Sequence, residues 1–207
     1  MKKATTLGLA VLLTVLFASC TPATGVKSGA AAGEALIKLM PKESMGVMAI
    51  DVQRIMGSEA VLKALQEPKS KEKYDEFVMK TGIDPMKDIS YVAIGLRGAL
   101  TGKEADGGVI INLKYDKDKL LGLLKEKAPN FKEEVYSGIA VYSNLDGGEG
   151  AKQTTRAAFL DGSHIVLGSE AGVKGIIDVH QKKAEPLAKN AELSGVLKKA
   201  DKSGVAW

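Results

Sequence analysis

Few side chains in this 207-residue chain could do chemistry, and their spacing narrows the choice further. There is one cysteine, Cys20, and there are two histidines, His164 and His180. That inventory excludes closed Cys/His zinc sites, iron–sulfur clusters and most haem ligation, and leaves little for acid–base work near neutral pH. His164 follows an Asp161-Gly162 turn signal, which puts it at a turn or on a sheet surface. His180 falls at the edge of an apolar helical stripe of Val173, Ile176 and Ile177. Asn144, Asp146 and Glu149 share a Gly-rich stretch and offer oxygen ligands, but calcium takes roughly six to eight, so the stretch reads as a loop. Asp116 and Asp118 open a leucine-rich helix pattern, where capping and the helix dipole account for them. Gly168 to Gly175 has glycines and Lys174 but not the Lys-Ser/Thr pair of a P-loop, and neither Gly-x-Ser-x-Gly nor His-Glu-x-x-His occurs. No catalytic, cofactor-binding or metal residue is assigned, and the chain is expected not to be an enzyme.

Cys20 is the exception. Lys2 and Lys3 form a positive start, and Leu7 to Ala18 form an apolar run of about 12 residues, the length of a signal-peptide core and short of a membrane span. The run closes on Leu16-Phe17-Ala18-Ser19-Cys20, which resembles the lipobox of bacterial lipoproteins. Ala18 and Ser19 fit its small positions; Phe17 departs from the leucine usual three before the cysteine. The resemblance implies a diacylglycerol on the Cys20 sulfur and cleavage just before it, so residues 1–19 would be a lipoprotein signal peptide. A thiolate suits that bond because it is the nucleophilic form, and no second cysteine exists to pair with it. The residues leave two other readings open: an ordinary secretory signal cut near Ala23, and an uncleaved anchor. In a two-membrane bacterium, Thr21 after the cysteine implies the periplasmic face of the outer membrane; in a one-membrane cell, the outer face of the membrane. The expected partner is therefore a lipid bilayer, held through acylated Cys20.

Residues 20–33 are small and Gly-, Ala- and Thr-rich, and read as a flexible tether spanning about 45–50 Å when stretched. Residues 34–207 read as one α+β globular domain. Leu36 to Met40 is a short amphipathic turn stopped by Pro41, and Val47 to Ile50 a buried strand. A helix over 51–65 breaks at Gly57-Ser58, with Ser58 as a cap, and another covers 69–80 until Gly82 and Pro85 end it. Strands follow at 89–96 and 108–115, then a helix capped by Asp116 with Leu120, Leu121, Leu123 and Leu124. Ser137-Gly138 and Asp161-Gly162 mark two hairpins, the second predicted as a type I′ turn. Helices with Val173, Ile176 and Ile177, then with Leu193, Val196 and Leu197 capped by Asn190, close the chain. The hairpins demand a largely antiparallel sheet, expected to carry helices on one face and to begin as a ferredoxin-like βαββαβ unit extended by hairpins.

The end of the chain admits two readings. Gly204 to Trp207 is a last strand completing the sheet. Alternatively, its likeness to Gly46 to Ile50, each after a basic helix end and a Lys/Ser turn, marks a second repeat truncated at its start. Tyr74 to Ile89 and Phe159 to Ile177 also resemble segments of uncharacterised bacterial envelope proteins, a resemblance that implies a fold and no activity.

The 29 basic residues include only Arg54, Arg97 and Arg156 as arginines, and the net charge of +4 falls by two when Lys2 and Lys3 leave. Lysines interspersed with acids make a solvated surface, and nucleic acid is not an expected partner. The functional expectation is a membrane-anchored envelope lipoprotein that binds or scaffolds a protein or polymer without catalysis. The alternative is a receptor or carrier for a small apolar ligand.

Overall fold

Strands β2 (Ile89–Arg97) and β3 (Asp106–Leu113) carry apolar side chains on both faces, and that double patterning decides the architecture. The computed structural model describes residues 29–97, 106–128, 130–145 and 155–207. The export signal, Cys20, most of the tether, Asp146 and Glu149 lie outside the described residues. The other strands are β1 (Gly46–Asp51), β4 (Lys132–Tyr136), β5 (Ile139–Ser143), β6 (Arg156–Phe159) and β7 (His164–Gly168). The helices are α1 (Ala30–Ile37), α2 (Val52–Met56), α3 (Glu59–Ala64), α4 (Pro68–Thr81), α5 (Lys117–Lys127), α6 (Glu170–His180) and α7 (Ala191–Lys199).

The seven strands form one antiparallel sheet in the order β1-β2-β3-β7-β6-β5-β4, an α+β fold. Two meanders, β1 to β3 and β4 to β7, join where β3 pairs with β7. The described strands do not form the expected ferredoxin-like split βαβ unit. Such a unit needs two parallel strands with a third between them, whereas β1 and β2 are adjacent and antiparallel, with Asp51 opposite Tyr91. The three helices between them leave and return at the same end of the sheet.

Helices stand on both faces rather than on one. Leu36, Ile37 and Met40 from the α1 end and Val173, Ile176 and Ile177 of α6 pack on Ala49, Tyr91, Ala93, Ile110, Ala158 and Val166. On the second face Val52, Met56, Val61 and Ile83 gather over Ile50, Ile89 and Leu113, with Tyr74, Phe77 and Leu120 packed alongside. A bulge between Ile89 and Tyr91 turns the strand so that these two residues serve opposite faces.

Local signals behave as their chemistry dictates. Asp51, Ser58, Asp116, Ser169 and Asn190 each accept a backbone N–H at a helix start. Ser137 and Gly138, at φ 52° and 82°, join β4 to β5 as a two-residue type I′ turn requires. The second hairpin turns at Asp161-Gly162 but not as type I′, because Gly162 has no positive φ. Asp161 Oδ1 instead accepts the Ser163 N–H at 2.8 Å, making a wider side-chain-closed loop.

The folded part also starts earlier than expected. Residues 30–33 are helical, and Gly33 is buried. A Cβ on Gly33 would lie 2.9 Å from the Trp207 ring and 3.0 Å from that of Tyr91. The small residues that read as spacer are what lets α1 lie against these rings. At the far end, Trp207 and Ala49 exchange both backbone hydrogen bonds, at 2.7 and 3.0 Å, and Asp51 N–H reaches Val205 O at 2.8 Å. The tail thus runs antiparallel along the outer edge of β1, with Ala206 opposite Ile50.

Candidate functional site

His164, Ser163 and Asp161 are brought together, a set that invites comparison with a hydrolytic triad. The wiring answers otherwise. Both carboxylate oxygens of Asp161 lie 2.9 Å from His164 Nδ1, and the Ser163 hydroxyl is also on Nδ1, at 3.1 Å. Nucleophile and orienting carboxylate therefore share one ring nitrogen, whereas a triad needs them on opposite nitrogens. The other nitrogen, Nε2, accepts from the Asn112 amide at 3.2 Å, whose second hydrogen goes to Ser163 O at 3.3 Å. A tautomer with hydrogen on Nδ1 donates to the Asp161 carboxylate and leaves Nε2 to accept from Asn112, while the Ser163 hydroxyl donates to Asp161 Oδ1 at 3.0 Å. Burial alone would raise the Asp161 carboxyl, but bonds from the Ser163 N–H, His164 and the Ser163 hydroxyl hold it below the usual carboxylate range. The cluster is a turn clamp, and Tyr115 adds a bond from its hydroxyl to Asp161 O.

The remaining sequence candidates stay apart. His180 is half-buried at the C-terminal end of α6, where the helix dipole favours it. Asn144 takes φ 59° and donates to Asn130 O at 3.5 Å, so it ties a loop. Asp116 caps α5 through the Lys119 N–H at 3.0 Å, with Asp118 in the same first turn. Gly168 and Gly172 pack backbone on backbone, a Cβ on Gly172 lying 2.0 Å from Gly107 O, while a Cβ on Gly175 would meet the side chains of Arg97 and Pro41. Among the described residues no three His, Cys, Asp or Glu side chains gather to hold a metal ion, and no helix is long and apolar enough to cross a membrane.

A second buried polar group holds the tail. The Arg54 guanidinium, on α2, donates to Ser203 O at 2.6 Å and Gly204 O at 3.3 Å. Lys202 pairs with Glu34 of α1 at 2.5 Å and lies 5.4 Å over the Trp207 ring. The Lys202 bond holds the Glu34 carboxyl below its ordinary range. Tyr91 OH donates to Asp51 Oδ2 at 2.7 Å beneath this junction, and burial together with that carboxylate pushes its phenol upward. Sequence reading passed over this group because Asp51, Arg54 and Tyr91 meet only after β1 pairs with β2.

The one apolar depression that stands out among the described residues lies on the second face, at the end of the sheet away from α2 and α3. Ile94, Leu96 and Val109 form its floor, with Asp106, Thr155 and Ser169 on its rim, and it holds about 200 Å³. Ser169 Oγ bonds to Asp106, and Arg97 lies 3.8 Å from the same carboxylate. A larger hollow of about 630 Å³, between Lys42 and Glu185 to Glu192, is open and lined largely by charged side chains, and the Lys42–Glu185 ion pair crosses it at 2.6 Å. No family model, no curated protein and no solved structure matches the chain.

Proposed function

We propose that this chain is a lipid-anchored envelope protein that acts by binding, with Cys20 acylated, the lipid bilayer as its resting partner, and a second, protein partner docked by an apolar side chain on the sheet floor of Ile94, Leu96 and Val109. That floor carries the reading. It is apolar, rimmed by Asp106, Thr155 and Ser169, and lined by strand residues and strand ends. A half-buried apolar depression with a polar rim is suited to taking one apolar side chain of a partner. Its size favours a side chain over a free ligand, because small-molecule sites usually enclose about 300–1,000 Å³. The wiring of His164 supports a non-catalytic role, since both ring nitrogens are committed to holding a turn.

The test uses the full-length chain in its own cells, with a photo-reactive residue at position 96 and a control at Lys71 on α4. An adduct from position 96 but not from Lys71, lost on Val109→Lys and on Cys20→Ala, is the expected result. Equal adducts from both positions, or none, overturn the docking floor. Failure of Cys20 to take up labelled fatty acid overturns the anchor.

A further inference from the structure

We propose that the outer edge of β1 is a strand-docking site, and that its second occupant is a neighbouring copy of this chain, whose segment Ser203–Trp207 replaces the resident one. The structure already seats that sequence there, so its fit needs no further assumption. Ala49 and Trp207 exchange two backbone bonds, and Asp51 donates to Val205 O. Arg54 reads the two preceding carbonyls, of Ser203 and Gly204. The Trp207 ring rests where Gly33 leaves room. Backbone ladders give such docking its affinity, and seated side chains give it register.

The connection to the rest of the domain is light. No residue of α7 is fully buried: Val196 is 62% exposed, and Leu193 and Leu197 rest only partly buried against the core. After α7 the chain is extended at Ala200, with φ −63° and ψ 135°, and residues 201–204 are tied chiefly by Lys202 and Arg54. Every contact of the tail is remade when the tail comes from another copy, so exchange alters only the connection. The resident tail competes at an effective concentration of order mM, which sets where exchange shows.

Full chains carrying Cys20→Ser supply the test. In a double variant, Ile50→Cys with Ala206→Cys, an internal disulfide reports the register, because a directly opposed pair of this kind brings its Cα atoms to about 4.5 Å. Single variants Ile50→Cys and Ala206→Cys, of different mass, are then mixed at about 1 mM and at a hundredfold lower concentration. The expected result is a 50–206 cross-link between chains at the higher concentration, strongly reduced at the lower one. An internal disulfide with no cross-link between mixed chains overturns exchange; no internal disulfide in a folded double variant overturns the docking itself. Should Ile50→Cys unfold the domain, Glu34→Cys and Lys202→Cys with a short bismaleimide repeat both arms at surface positions, with the same two readings.

Discussion

The carboxylate of Asp51 holds two elements at once: Oδ2 accepts the Tyr91 hydroxyl at 2.7 Å, and Oδ1 accepts the Arg54 N–H at 3.0 Å. Its first bond ties β1 to β2, and its second starts α2 and thereby aims Arg54 at the tail. Both Asp51 and Tyr91 are buried, so neither bond has water as a ready substitute. Removing the side chain takes away a helix cap, worth roughly 1 kcal/mol, and leaves a buried phenol without its acceptor, at about 1–3 kcal/mol. Asp51→Ala is expected to lower unfolding free energy by about 2–4 kcal/mol, and Asp51→Asn by less than half of that. Urea unfolding at neutral pH checks both, and a loss below about 1 kcal/mol for the alanine variant would sink the dual role.

Two glycines in helices should respond to alanine with opposite signs. In α6 a Cβ on Gly172 meets Gly107 O at 2.0 Å and Gly107 C at 2.3 Å, both backbone atoms of the interior strand β3. Helix propensity favours alanine by about 1 kcal/mol, yet a clash with backbone that cannot rotate away outweighs it. Gly172→Ala is expected to destabilise by about 2 kcal/mol or more. Gly122, in the middle of α5, has nothing within 4 Å of its Cβ position. Gly122→Ala should therefore stabilise by about 0.5–1 kcal/mol. Thermal unfolding of the pair checks this, and equal shifts would refute the close packing of α6 on β3.

What was legible in the sequence is what short-range chemistry decides. Ser58, Asp116 and Asn190 announce helix starts because a side-chain oxygen two or three residues before an N–H needs no distant partner. Ser137-Gly138 announces its turn for the same reason. The ferredoxin-like order failed because periodicity gives the strands but not their neighbours, and β1 pairs with β2 across three intervening helices. One covered face was expected because Val92, Ile94 and Ile111 alternate with Tyr91, Ala93 and Ile110, and alternation alone cannot say that both sets are apolar enough to need cover. The Asp161-Gly162 signal gave the place of a turn, while the Asp161 carboxylate, by capping Ser163, selected a different turn type. At the candidate site, the floor of Ile94, Leu96 and Val109 was readable only as strand residues, because their meeting in one depression depends on how β2 pairs with β3.

Acid should loosen the His164 turn before it unfolds the domain. The folded Asp161 carboxyl lies below its unfolded value, since bonds from Ser163 and His164 outweigh burial. For such a group the stabilisation is fully present above the unfolded value, near pH 4, and is lost as pH falls through the folded value. Asp84, held down by Lys87 and Tyr74, and Glu170, held down by Lys174 and Arg156, contribute with the same sign. The melting temperature is expected to be level at pH 5–6 and to fall steadily below about pH 4, less steeply in Asp161→Asn. Circular dichroism between roughly pH 2 and 6 reads it, and identical slopes for the two proteins would remove Asp161 from the account.

Arg54 should govern how firmly the tail sits on β1, separately from the stability of the whole sheet. Its guanidinium is buried, and the bonds it donates to Ser203 O and Gly204 O tie the tail backbone to α2. Hydrogen bonds to a charged group contribute about 1.5–3 kcal/mol, so losing them weakens tail closure by a comparable amount. Arg54→Met keeps much of the apolar stem and removes the donors. The Ala49 and Asp51 amides, which bond to Trp207 and Val205, are expected to exchange with solvent roughly 10–100-fold faster in this variant. The alternate amides of Met48 and Ile50 face β2 and should keep their wild-type rates. Trp207, the single tryptophan, supplies a second reading: its emission should shift to longer wavelength without change in the far-ultraviolet circular dichroism. If all four amides accelerate together, Arg54 holds the sheet as a whole, and the tail is no separate unit.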